Sequence, residues 1–258
     1  NEEAASALEA FKDLPIAIVS FFIASFLPRL GYKNAMLIAL AIVFAGCLSM
    51  HFANSFWAAK MMFLSVGVSF ALIKLSAYSL VGVVTNTPGD HASLMSSIEG
   101  FFMVGIATAY FLFPAFYSDT DVDAWLDVYF VLSGLILLSF LFLVFSKVRI
   151  PAPTAGANWK EDIKNSLSLM ALPLVLVFIS SAFFFVMIEQ GIMTWLPRFN
   201  EKVFLFSESL SVQMASLLAI SLAAGRFIAG WLAKKISWAV IVIGCASLAI
   251  LLLLAVLP

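Results

Sequence analysis

Charge is scarce in this chain. Asp, Glu, Lys and Arg make up 11% of its 258 residues, under half of the roughly 25% found in an ordinary soluble domain. So thin a supply cannot clothe a water-exposed surface, and with a net charge of −1 no nucleic-acid partner is expected. Cysteine is limited to Cys47 and Cys245, both inside apolar stretches and without a CxxC spacing, which argues for packed thiols and against a disulfide or metal site. The two histidines, His51 and His91, fall in predicted turns with no HExxH or related spacing, so they are read as surface residues and no metal or other cofactor is expected. The sequence shows no Walker A pattern and no nucleophile with a matching base, which removes an ATP-driven engine and leaves no enzymatic chemistry in view. A signal-peptide pattern is missing too. The opening "NEEAASALEAFKD" reads as an extracytoplasmic loop, and with the apolar ending "LLLLAVLP" it suggests a piece of a longer protein.

What the chain has in quantity is hydrophobic side chains, 63% of the total with 26 phenylalanines and a mean hydropathy of +1.08. A helix needs about 20 apolar residues to cross a bilayer. Eight such windows occur, near residues 11–30, 34–53, 56–85, 92–116, 124–146, 169–197, 208–233 and 238–257. Runs such as "GLILLSFLFLVF" are continuously apolar, whereas barrel strands alternate over segments of about ten residues. The chain is therefore expected to be an all-α polytopic membrane protein. If the eight windows alternate direction, Arg29, Lys33, Lys147, Arg149, Lys160, Lys164, Lys234 and Lys235 fall on one side, against Lys12, Lys60, Arg198 and Lys202 on the other. The positive-inside rule puts the richer set in the cytoplasm and the start of the chain outside.

The longest break, "SKVRIPAPTAGANWKEDIKNSLS", divides five spans from three and ends in an amphipathic tract expected to lie on the cytoplasmic surface. The turns "ASFLPRLGYKNAML" and "GWLAKKISWAVIV" each set a small residue, Ala24 or Gly230, four and five positions before Pro28 with Arg29 or Lys234 with Lys235. This arrangement resembles the major facilitator superfamily, which has twelve helices in two halves, a cytoplasmic linker after the sixth, and small-xxx-basic turns after the second and eighth. The resemblance makes the eight spans helices two to nine of twelve: residues 1–146 in the N-terminal half, 147–168 in the linker and 169–258 in part of the C-terminal half. Leu30, Gly31, Tyr32 and Lys33 are similar to the corresponding turn of the fucose:proton symporter branch, with Ala24 and Pro28 as departures. The wider superfamily has an Asp at the positions of Pro28 and Lys234, where it helps latch the cytoplasmic side. The run "FVMIEQGIMTWLPRF" also resembles that branch. In the fourth helix, by contrast, Leu72 fills the acidic slot if Gly67 is aligned, and Lys74 follows two residues on. The function implied is proton-coupled alternating access for a small polar solute, a sugar or related metabolite, by a monomer in a bacterial inner membrane. Efflux or exchange by the same fold, or a transport-dead receptor or scaffold, are the alternatives.

Ionisable groups inside a bilayer are costly and so point to function or to a partner. By helical rise Lys74 lies ~5 Å, and Glu99 ~7 Å, to the cytoplasmic side of their helix midpoints, at matching depth on sequential helices. They are a candidate pair, either coupling machinery or a fixed strut. Gly67, Ala71, Lys74 and Tyr78 share a stripe. Glu189, followed by Gln190 and Gly191 and preceded by Phe183 to Phe185, is a candidate proton carrier, or else caps a broken helix or hydrogen-bonds a neighbour. Trp195 and Tyr78 could stack on a sugar ring, or Trp195 could belong to the interfacial belt. Gating or structural roles are expected for Arg29, Lys33, Arg226, Gly230, Lys234 and Lys235.

Overall fold

The computed structural model describes residues 2–118, 121, 123–147, 164 and 168–256. It is helical throughout, with no strand among the described residues. Eight long helices follow in order: α1 (Glu2–Leu30), α2 (Tyr32–Ala53), α3 (Phe56–Val84), α4 (Pro88–Leu112), α5 (Asp127–Phe145), α6 (Pro173–Val203), α7 (Glu208–Leu232) and α8 (Trp238–Val256). Helices α2 to α8 are each long and apolar enough to cross a membrane. The predicted linker surface tract lies outside the described residues. The polar opening read as a loop is instead the first part of α1, because Glu, Ala, Leu and Lys are strong helix formers and nothing before Pro15 interrupts them.

The helix ends follow local chemistry. Gly31 sits between α1 and α2 at φ 82° and ψ 131°, a backbone region where a side chain is strained. Its N–H still bonds the Leu27 carbonyl at 3.0 Å and its own carbonyl accepts from Ala35 at 3.0 Å. The Leu-Gly-Tyr-Lys turn is thus a reversal that only glycine makes cheaply. Lys33, two residues on, donates to the carbonyls of Val144 at 2.9 Å and Ser146 at 2.7 Å, satisfying groups that the C-terminus of α5 leaves open.

The chain forms two compact units, one of residues 1–80 with 115–194 and the other of 81–114 with 195–258. In the first, Leu27, Ala35, Ala39 and Leu72 form a buried cluster from α1, α2 and α3. Ser69 crosses from α3 to bond the Ala39 carbonyl at 2.8 Å. A Cβ on Gly46 would strike the Ser65 side chain, and one on Gly67 would strike the Lys12 carbonyl, so small residues let these helices approach closely. His51, expected at the surface, has Nδ1 3.3 Å from the Leu126 carbonyl and 3.7 Å from an Asp127 oxygen, tying the end of α2 to the start of α5. Cys47 is buried as expected, whereas Cys245 on α8 is exposed. The apolar window of α8 buries nothing within the protein, and so suits a lipid solvent.

In the second unit α4 and α7 lie side by side. Ser211, Ala215, Ala219 and Ala223 recur every four residues on the buried side of α7, and α4 buries Gly100, Met103 and Ala107. Small side chains at this spacing bring two backbones together without interlocking knobs. We expect Gly67→Ala to lower the melting temperature in detergent, because its methyl meets main chain. Gly105→Ala and Gly134→Ala, where the added atom meets nothing within 4 Å, should raise it, a helix-propensity gain of roughly 0.5–1 kcal/mol. Equal shifts in all three variants would refute this view of the α1–α3 contact.

Candidate functional site

The α4–α7 interface carries its charge at two levels. At the Lys/Arg-rich end, Thr87 caps α4: its hydroxyl oxygen accepts from the Asp90 N–H at 3.1 Å, and Pro88 occupies the first turn, where a missing N–H costs nothing. The Thr87 hydroxyl in turn donates to Asp90 Oδ2 at 2.7 Å. This leaves Asp90 Oδ1 facing Lys234 Nζ at 3.5 Å across the interface. Both side chains are about half exposed, so the pair adds little to stability, but it fixes which helix ends meet. Around it the backbones nearly touch. A Cβ on Gly89 would lie 3.2 Å from the Ala233 carbonyl, and one on Gly230 would lie 3.0 Å from Ser96 Cβ and 3.1 Å from the Ser93 carbonyl.

About two turns deeper, Arg226 donates from one guanidinium nitrogen to Glu99 Oε2 at 2.7 Å and to the Glu99 carbonyl at 3.3 Å. Their side chains are 21% and 17% exposed, which makes this a shielded, charge-assisted contact and not a surface pair. The neighbouring Gly100 leaves room for the Phe227 ring, which a Cβ there would meet at 2.8 Å, and Phe101 meets that ring edge-on at 5.2 Å. This aromatic contact follows the ion pair by one or two residues on each helix. Beyond it, toward the opposite end, the helices border a groove of about 190 Å³ lined by Val104, Ala107, Thr108, Phe111, Ile220 and Ala223. At that end Asn200, buried, donates to the Ser211 carbonyl at 3.2 Å and joins α6 to α7.

In the first unit, the Lys74 ammonium on α3 lies over the rings of Phe70 and Tyr78, 5.1 and 5.5 Å from their centroids. Glu189 is half-buried, whereas Gln190 and Trp195 are exposed, the latter at 61%. The helix carrying them is unbroken through Glu189, Gln190, Gly191 and Pro197, so Glu189 does not cap a broken helix. Gly191 costs an apolar helix little, and every other residue from 174 to 196 has an N–H to bond.

A profile of the Major Facilitator Superfamily matches residues 13–258. The chain belongs to the major facilitator superfamily. No curated protein and no solved structure matches it. Membership makes this an integral membrane protein of a transporter family.

Within this superfamily member the residues singled out from sequence fall into separate groups. Glu99 is brought together with Arg226, a contact that helix depth on sequential spans could not reveal, because the partner is 127 positions away. Lys74 falls in the first unit and Glu99 in the second. Arg29 lies over the Phe26 ring at 5.8 Å and Lys235 over Trp231 at 3.8 Å, while Lys33 holds the end of α5. Asp90 was missed. The Thr-Pro-Gly-Asp start of α4 was a readable capping signal, yet nothing local to it identified Lys234 as the partner. We expect Glu99→Gln or Arg226→Met alone to cost about 3 kcal/mol by stranding the other charge. The double variant should recover at least about 1 kcal/mol of the summed loss. Strict additivity in unfolding experiments would show the two groups to be energetically independent.

Proposed function

We propose that the protein is a secondary active transporter that moves a small polar solute, a sugar or related metabolite, together with protons. It would act as a monomer in a bacterial inner membrane by alternating access between an N-terminal half (1–146) and a C-terminal half (169–258). The observation that carries this reading is the shielded Glu99–Arg226 pair. It ties a helix of the first half to one of the second, within a membrane-spanning interface of small side chains.

Such a tie can be made and broken. The attraction between two partly buried charges is offset by the cost of removing them from water, so the net advantage of the closed arrangement is small compared with either term. Small residues along α4 and α7 leave the Phe227 ring on Gly100 as the large side chain that has to move when the two backbones part. Removing either charge removes the attraction that holds this interface together. With the positive ends in the cytoplasm, Asp90–Lys234, Gly230 against Ser93 and Ser96, and Glu99–Arg226 all belong to a closed cytoplasmic side.

The full-length protein in proteoliposomes with an imposed pH gradient should accumulate at least one solute from a sugar panel, with proton movement accompanying it. Solute movement without proton flux would favour exchange, and no movement of any solute would favour a receptor or scaffold. In a background lacking Cys47 and Cys245, oxidising Ser96→Cys/Gly230→Cys should join α4 to α7. Disulfide-bonded Cβ atoms lie ~3.5–4.5 Å apart, so the helices have to give slightly from the 3.0 Å between Ser96 Cβ and a Cβ at Gly230 for the bond to form. We expect transport to stop on oxidation and return on reduction. Transport at an equal rate through cross-linked protein would show that these helices do not separate in the cycle.

A further inference from the structure

Several cations of this chain have a carboxylate close by: Lys12 faces Asp13, Arg198 faces Glu201, Arg226 faces Glu99 and Lys234 faces Asp90. Lys60, on the second turn of α3, has none among the described residues. Its ammonium lies among rings instead, 4.6 Å from the centroid of Phe56, 4.7 Å from that of Trp57 and 5.3 Å from that of Phe11 on α1. A π face attracts a cation without carrying a net charge. The positive charge is therefore held in place but not neutralised.

Depth says what could neutralise it. Lys60 precedes the midpoint of the 29-residue α3 by about ten residues, or ~15 Å by helical rise. That is half the ~30 Å thickness of a bilayer's hydrocarbon core, so the ammonium stands where lipid headgroups begin. Helical side chains lean toward the N-terminus, which carries this one past Phe56 and Trp57 toward the headgroups and away from the acyl chains. All three rings are exposed, Trp57 at 69%, as suits aromatic groups at a membrane interface.

We propose that Lys60, with Phe11, Phe56 and Trp57, is a binding site for an anionic phospholipid in the leaflet away from the Lys/Arg-rich turns. The ammonium takes a phosphate oxygen, and the rings cover the glycerol and the first chain carbons. Charge decides between lipid classes. A zwitterionic lipid brings an ammonium of its own, which would find no carboxylate here and rings already facing a lysine. Phosphatidylglycerol brings one negative charge and no second cation, so the site becomes neutral. The site also joins α3 to α1, near where Gly67 meets the Lys12 main chain, and a bound lipid would brace that seam. None of this depends on which solute the protein moves.

Trp57 is a built-in reporter. Full-length protein keeping it as the sole tryptophan is placed in phosphatidylcholine nanodiscs, with a small, equal fraction of brominated phosphatidylglycerol or brominated phosphatidylcholine. We expect the anionic lipid to quench Trp57 about threefold more, a ratio in keeping with a partly exposed charge pair. Lys60→Gln should erase the preference and Lys60→Arg should keep it. Lys12→Met should also keep it, because Lys12 is already paired. Equal quenching by the two lipids overturns the site, as does a preference that survives Lys60→Gln. A preference lost equally in Lys12→Met would show a diffuse field of charge and would overturn it too. Should the single-tryptophan protein not fold, native mass spectrometry of the chain with all its tryptophans reads the same contrast, as phosphatidylglycerol retained over phosphatidylcholine with and without Lys60→Gln.

Discussion

A charge placed within a bilayer has to meet its opposite, and in this protein that demand sets the relation of α4 to α7. Glu99 and Arg226 bond at 2.7 Å where glycines on both helices let them approach closely. Gly100 admits Phe227, and Gly230 admits the backbone at Ser93. With larger residues at these positions the helix axes would stand farther apart and the two charges would be left facing apolar carbon, at a cost of several kcal/mol. The spacing of small residues and the ion pair are therefore one device. Neither half of it makes sense without the other.

The same dependence explains which parts could be read in advance. Hydropathy marks helices directly, because a span must bury about 20 residues in lipid whatever its neighbours are, and the windows from sequence lie within a few residues of α2 to α8. The Leu-Gly-Tyr-Lys turn was also legible, since its glycine answers a local backbone requirement. Pairing between distant helices is not local. Glu99 could be recognised as a charge in need of a partner, but its choice of Arg226 is made by the packing of α4 against α7, which no periodicity in either helix encodes. The start of α1 misled for a different reason: polar residues before a span look like a loop, although Glu, Ala and Leu extend a helix readily.

The Asp90–Lys234 contact illustrates how a charge arrangement can be kept while its members change places. The wider superfamily resemblance calls for an acid where Lys234 stands. Here the base occupies that position, and the acid is supplied by Asp90 at the capped start of α4. Thr87 holds one carboxylate oxygen of Asp90 and so leaves the other aimed at Lys234, which gives a half-exposed pair a defined direction despite its small energy.

Lys33 has a similar role in the other unit, and it bears on how the protein could change over generations. By gripping the carbonyls of Val144 and Ser146 it finishes α5 with a side chain from α2, so the bundle does not rely on the residues that follow to terminate that helix. A substitution at position 33 would therefore be felt at the end of α5, so that two stretches of chain more than a hundred residues apart are constrained to change together.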